Sequence, residues 1–197
     1  MDYMPKLANI SQRHGGIITT NMASNLGISK AMLSKLCKDT KIYRIAQGQY
    51  VLYDDLQDEL LSISNRSSKI IFSHETALFL HGLSDRTPFE YTASVPTNYT
   101  ASPTMRANCK FHYIKPDLYP LGKTELITPF GNMVPVYDLE RTICDIVRSR
   151  NKIGTETFLS ALKLYAACPH KDLNKLNFYA QKLHVKTLMR QYLEVLL

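Results

Sequence analysis

Along residues 3–52 the apolar positions fall in three bursts at helical spacing and then shift to a period of two. Residues 3 to 13 predict a helix that turns Leu7 and Ile10 inward. Gly15 and Gly16 then turn the chain, and Ile17 and Ile18 return it to a core. Met22, Leu26, Ile28, Leu33 and Leu36 place one apolar stripe on each of two further helices. The small Ala23 in the first, with Gly27 at the corner, gives the spacing of a helix-turn-helix. Thr20 is expected to cap the first helix of the pair and Ser29 the second, each offering a side-chain oxygen to an otherwise unpaired backbone N–H. After Lys41 the string IYRIAQGQYVLY alternates about Gln47 and Gly48, which predicts a β-hairpin, the wing of a winged helix.

Beyond that hairpin the pattern loosens. Residues 53–69 form an acidic connector with Asp54, Asp55, Asp58 and Glu59, in which Leu56, Leu60, Leu61 and Ile63 are spaced for a short helix until SNRSSK interrupts. In SHETALFLHGLSD, Ser73 is expected to cap a helix, Ala77, Leu78 and Leu80 to pack, and Gly82 to end it in a left-handed conformation. Strands are expected at 91–96, 110–115, 124–128 and 133–137, the last two joined through Gly131 and Asn132. Asp138 caps a helix over LERTICDIVRSR with Leu139, Ile143, Ile146 and Val147 on one face. Helices near 155–167, 172–183 and 186–196 follow. The fold class is therefore α+β: an N-terminal winged helix-turn-helix domain (1–53), a connector (54–69), and a C-terminal domain (70–197) built as a small β-sheet with a helical tail.

Charge sharpens this division. The 197 residues carry a net +7, distributed as +5 over residues 1–50, −4 over 51–147 and +6 over 148–197. A basic segment that coincides with a helix-turn-helix is the electrostatic footprint of a DNA-contacting domain. With Met32, Leu33, Leu36 and Cys37 on the packed side, the outward residues of the second helix are Ser29, Lys30, Ala31, Ser34, Lys35 and Lys38. Lys41, Arg44, Gln47 and Gln49 extend the expected DNA-binding set through the wing to its tip. None of the helix residues is arginine, so the expected affinity is mostly phosphate positioning, with little guanine readout. The basic residues of the tail, Arg148, Arg150, Lys152, Lys163, Lys171, Lys175, Lys182, Lys186 and Arg190, suit either a second positive surface or a solvated helical face.

Catalysis finds little support. His74, Glu75 and His81 with Asp138, Glu140 and Asp145 are the tempting set for a cation-dependent nuclease. Yet Asp138 and Asp145 are seven apart with Glu140 pointing elsewhere, and His74 and His81 are seven apart rather than four. No glycine-rich phosphate loop or nucleophile elbow appears, so no enzyme activity and no cofactor is expected. Cys37, Cys109, Cys144 and Cys168 lack the paired short spacings of a zinc knuckle or a redox CxxC, and no metal is expected. With no run near the roughly twenty apolar residues that span a bilayer, and no signal-like N-terminus, the expected location is cytoplasmic, without a membrane partner. A small-molecule-sensing C-terminal domain lined by Tyr91, Tyr99, Tyr113, Tyr119 and Tyr137 is the alternative regulator reading; those tyrosines also suit strands and core.

The order of these elements, together with SHETALFLHGLSDRTP at 73–88 and VYDLERTICDIVRSR at 136–150, resembles the AbiEi family of antitoxins from bacterial abortive-infection systems, over essentially the whole chain. The resemblance implies an N-terminal winged helix-turn-helix that represses the antitoxin–toxin operon by binding inverted repeats in its promoter. It implies a C-terminal domain that counters a partner toxin, the nucleotidyltransferase-like AbiEii, without stable binding as its hallmark, the arrangement termed type IV. Carried onto this chain, the family's basic DNA-binding surface falls on Lys30, Lys35, Lys38, Lys41 and Arg44. Arg141, with Asp145 in the same LERTICD string, stands as a signature of the antitoxin domain, although Asp138, Glu140 and Asp145 equally suit capping and salt bridges at i and i+4 spacing.

Overall fold

The computed structural model describes residues 3–52, 57–84 and 86–193, so Tyr53, Asp54, Asp55 and Leu56 of the expected connector, Asp85, and the last turn of the expected final helix lie outside the described residues. The chain separates into two compact units. The first spans residues up to Asn65 and includes Thr128–Asn132; the second holds Arg66–Ile127 and the residues from Met133 onward.

In the first unit the helices are α1 (Met4–Arg13), α2 (Thr20–Asn25), α3 (Lys30–Lys38) and α4 (Glu59–Ser64), and the strands are β1 (Ile18–Thr19), β2 (Ile42–Ala46) and β3 (Gln49–Leu52). Pro5 sits in the first turn of α1, where its missing N–H leaves no bond unmade. The alternating string folds into the expected hairpin, with Arg44 opposite Tyr50, Ala46 opposite Gln49, and a bulge between them. Sequence reasoning missed β1, which pairs antiparallel with β3 and completes a sheet ordered β1-β3-β2. Leu7, Ile18, Ala23, Ile28, Leu33, Leu36, Ile42 and Tyr50 form its core.

The expected cap at Thr20 is corrected to Thr19. Its extended backbone places Oγ1 to accept the Met22 N–H at 3.2 Å, while Thr20 donates its N–H to the Gly48 carbonyl at 2.8 Å. Both α2 and α3 end with a left-handed residue and a six-to-one hydrogen bond, Ile28 N–H to Ala23 O at 2.9 Å and Lys41 N–H to Leu36 O at 3.0 Å. The left-handed residue is Gly27 (φ +76°) after α2 but Thr40 (φ +54°) after α3, a β-branched residue in a conformation that crowds its Cβ. Asp58 caps α4 through the Leu61 N–H at 3.0 Å, and its other oxygen accepts from Thr128 Oγ1 at 2.5 Å and Asn132 Nδ2 at 2.9 Å.

The second unit contains β4 (Ile71–Phe72), α5 (His74–Leu80), β5 (Tyr91–Pro96), α6 (Pro103–Arg106), β6 (Cys109–Ile114), β7 (Lys123–Ile127), β8 (Met133–Tyr137), α7 (Leu139–Arg148), α8 (Thr155–Ala167), α9 (Leu173–Lys182) and α10 (Lys186–Leu193). Its described sheet is mixed, ordered β6-β5-β4-β8-β7, with β5–β6 and β4–β8 parallel and the other pairs antiparallel. Helix α7 is its central element: residues from Glu140 to Val147 are all buried, packed among α5, α8 and α9 in a core that includes Leu78, Ile143, Ile146, Phe158, Leu162 and Tyr165. Gly82 ends α5 in the left-handed region (φ +70°), with Leu83 N–H reaching Leu78 O at 2.8 Å. Ser73 precedes α5 without capping it, because its hydroxyl is engaged by Ser94 Oγ at 2.9 Å and His74 Nδ1 at 3.0 Å.

Candidate DNA-binding surface

Helix α3 sorts its residues as the spacing predicts. Leu33 and Leu36 are buried, Met32 and Cys37 half-buried, and Ser29, Lys30, Ala31, Ser34, Lys35 and Lys38 exposed. Ser29 caps the helix, its Oγ accepting the Met32 N–H at 3.2 Å. The six-to-one bond at the helix end leads directly into the wing, so exposed Lys41 follows within one turn of chain. On β2, Arg44 is exposed and donates through Nε to the Ala46 carbonyl at 3.3 Å, and its guanidinium lies within electrostatic reach of the Cys37 thiol on α3. Burial nonetheless dominates at Cys37 and pushes its thiol up. Helix and wing therefore expose five cations, Lys30, Lys35, Lys38, Lys41 and Arg44. Among the described residues none of the five is in an ion pair.

Gln47 is exposed at the hairpin turn. Gln49 is not: it is 4% exposed, its Nε2 donates to the Ser62 carbonyl at 3.1 Å, and its Oε1 accepts from Ser62 Oγ at 2.9 Å. The expectation of a wing-tip contact from Gln49 is corrected accordingly. As the first residue of the middle strand β3, facing both Thr19 and Ala46, it has a neighbour on either side and points toward α4. Exposed Tyr43 on β2 was missed, although its place beside Arg44 in an edge strand was visible in the alternation.

In the second unit Asp138, Glu140, Asp145 and His81 each make contacts within the fold. Asp138 caps α7 through the Arg141 N–H at 2.9 Å, and its other oxygen takes the Tyr179 hydroxyl and Lys175 Nζ, each at 2.9 Å. Glu140 accepts the Asp172 N–H at 3.0 Å, and His81 Nε2 meets the Tyr137 carbonyl at 2.8 Å. Arg141 is fully buried. Its Nε pairs with Asp145 at 3.0 Å, Nη1 donates to the Leu118 and Leu121 carbonyls at 2.8 and 2.7 Å, and the guanidinium lies 4.2 Å from the centre of the Tyr137 ring. Burial raises the Asp145 carboxyl despite that partner. The i and i+4 spacing thus yields a structural lock of the 118–121 loop onto α7. Among the described residues no group of three or more His, Cys, Asp and Glu side chains is arranged to hold a metal ion, and no helix is long and apolar enough to cross a membrane.

Four of the five tyrosines of the sensor reading have separate surroundings. Tyr137 donates to the Tyr119 carbonyl, Tyr119 to the Lys69 carbonyl, Tyr99 reaches Met105, and Tyr113 is exposed. None of them lines the cleft of about 400 Å³ bounded by Glu75, Leu78, Arg86, Phe89, Thr92 and Lys110. His74 and His112 instead form a stacked pair, ring centres 3.6 Å apart and 15° from parallel. His74 has a left-handed backbone (φ +52°), and His74 Nε2 meets Ser149 Oγ at 3.0 Å. Burial, reinforced by nearby cations, pushes both imidazoles down to about 3.

Residues 5–53 match the family described as transcriptional regulator, AbiEi antitoxin. No curated protein matches the chain by sequence. Among solved structures, the RV2827C protein from Mycobacterium tuberculosis shares the fold with a TM-score of 0.66 and 12% identity, over 91% of this chain and 71% of that one. The winged helix built from α1 to β3 coincides with the matched residues, so the likeness to that family's description lies in this unit.

Proposed function

We propose that this protein is an antitoxin and autorepressor. Its winged unit binds inverted repeats in the promoter of its own operon, with Ser29 to Lys38 in a major groove and Lys41, Arg44, Tyr43 and the Gln47 turn against the backbone or the minor groove. One copy sits on each half-site, and repression follows from occlusion of the promoter. The second unit counteracts a nucleotidyltransferase-like toxin without forming a stable complex, and the protein acts in the cytoplasm, without catalysis and without a cofactor. The observation that supports this reading best is the set of five cations: side chains on α3, its exit and the wing, exposed and without carboxylate partners among the described residues.

Duplex DNA is the partner that rewards such a set, because each neutralised phosphate releases condensed counterions. Five contacts per copy give a slope of log affinity against log salt of about −4 to −5, at roughly 0.9 per phosphate on B-DNA. The test is fluorescence anisotropy on a duplex from the chain's own promoter across a salt series, with Lys35→Ala/Lys38→Ala beside the parent protein. The double variant is expected to weaken binding on specific and random duplexes alike and to flatten the slope by about 2, while rescue of cells from the toxin persists. An unchanged slope in the variant removes α3 as the binding helix, and a parent protein that does not distinguish promoter from random duplex removes the repressor reading.

A further inference from the structure

We infer that α9 and α10, in the tail of the second unit, form a second helix-turn-helix, whose α10 docks in the major groove of duplex DNA. Residues 183–185 join α9 to α10 and residues 26–29 join α2 to α3, both within the three-to-four-residue turn of such a pair. The two corners close on the same bond. A left-handed residue follows the first helix, His184 (φ +58°) in the tail and Gly27 (φ +76°) in the wing unit. The next residue is buried and returns its N–H to a buried alanine: Val185 to Ala180 O at 2.8 Å, Ile28 to Ala23 O at 2.9 Å. Helices α1, α3 and α5 end on a bond of this kind too, but the element after each of them is a strand. Among the described residues, only these two closures lead from helix to helix.

Packing then decides which side of α10 is offered. Val185, Leu188, Met189 and Tyr192 face the core built with α8 and α9, the Tyr192 ring standing edge-on to Phe158 with centres 4.9 Å apart. The helical period puts Lys186, Thr187, Arg190 and Gln191 on the other side, and all four are exposed, as are Lys182 and His184 at the corner. From Leu173 to Leu193 the chain contains no Asp or Glu, and Glu194 lies outside the described residues. Lys182 and Lys186 are in no ion pair among the described residues.

An acid-free helix face of cations, a hydroxyl and an amide, set at the corner of a helix pair, matches the charge and the width of the major groove. Lys182 and Lys186 suit phosphate oxygens, which position the helix. Arg190 suits the O6 and N7 acceptors of guanine, and Gln191 the N6 and N7 of adenine. Helix α3 has neither residue type, so the tail supplies base-edge chemistry that the winged unit's own helix lacks. This contact goes beyond the repressor reading and stands whether or not the winged unit binds the promoter.

The test is fluorescence anisotropy of the full chain across a salt series, on duplexes selected by the parent protein from a random pool and on unselected duplexes. Lys182→Ala/Lys186→Ala is expected to weaken binding to both and to flatten the salt slope by about 2. Arg190→Lys keeps the charge and the slope but is expected to lose roughly tenfold of the preference for selected over unselected duplexes. Lys152→Ala/Lys163→Ala removes two exposed lysines elsewhere in the unit and is expected to leave slope and preference unchanged. The substituted side chains are exposed, and a thermal melt verifies that each variant folds. Tail variants that bind as the parent does, while Lys35→Ala/Lys38→Ala weakens binding, overturn α10 and leave the winged surface standing; the reverse pattern supports α10 and removes the winged surface. An equal loss in Lys152→Ala/Lys163→Ala, or a parent protein that prefers duplex RNA of the same sequence, also overturns it.

Discussion

The stacked histidines make stability depend on pH through a window that ordinary surface histidines do not produce. In the unfolded chain each imidazole titrates near 6.5, whereas in the fold both are pushed down to about 3, His74 by burial and then by Arg141, Lys110 and Arg148, and His112 by burial and then by His74 and Lys110. Between those values the unfolded state binds more protons than the native state. Stability is therefore complete above about pH 6.5 and falls as the pH drops toward 3. At pH 5 a fully buried histidine of this kind forfeits about 2 kcal/mol, from 1.36 kcal/mol per unit over 1.5 units. His74 is enclosed enough to take that figure. His112 keeps a solvated edge, so its share is discounted to roughly 1 kcal/mol, and together they give about 3 kcal/mol between pH 8 and pH 5. His81, also lowered by burial, acts in the same direction, while the raised Asp145 carboxyl opposes it at more acid pH.

Urea unfolding across pH 5 to 8 measures the slope. His112→Phe, which keeps a ring for the stack but cannot titrate, should remove about a third of the loss. His74→Asn should remove the larger part, with asparagine better suited to the left-handed backbone. A parent protein equally stable at pH 5 and pH 8, or variants whose curves run parallel to the parent's, would refute the account of a neutral pair held among cations.

Three further outcomes follow from named contacts. Arg141→Ala leaves the Asp145 carboxylate buried without its partner and should cost about 3–5 kcal/mol in chemical unfolding, whereas Arg141→Met/Asp145→Leu should recover most of that loss. Gly122 holds φ +79°, and an added Cβ would lie 2.6 Å from Arg141 Cβ; Gly122→Ala is expected to lower stability by about 1–3 kcal/mol, read as a drop in melting temperature. Thr40→Gly relieves a β-branched residue in the left-handed region at the end of α3 and should stabilise the chain by roughly 0.5–1 kcal/mol without changing the salt slope of DNA binding.

The winged segment was legible because its signals are local. Ala23, Gly27, Ser29 and the alternation about Gly48 each dictate backbone geometry within a few residues, and the exposed face of α3 follows from the period of its apolar partners. Elements defined by distant pairing were not legible. β1 and β4 are each two residues long and lie in apolar runs, Ile17–Ile18 and Ile70–Phe72, with no alternation to mark a strand. Helix α6, a single turn behind Pro103, was likewise passed over. Gln49 reads as a wing residue from its spacing alone, and only the position of Ser62 shows why it turns inward. The same holds for Arg141: the i+4 carboxylate is visible in the string, but burial beneath Leu118, Leu121 and Gly122 depends on a loop that returns some twenty residues away.

Residues 128–132 belong to the winged unit although they are encoded more than sixty residues past its last helix, and they supply two of the donors on the Asp58 carboxylate. A fragment ending at residue 65 would be born without them, leaving the acid that starts α4 to find water instead. Separating the two units thus calls for point substitutions within the intact polypeptide, because scissors placed at any single bond deprive the winged unit of a piece of itself.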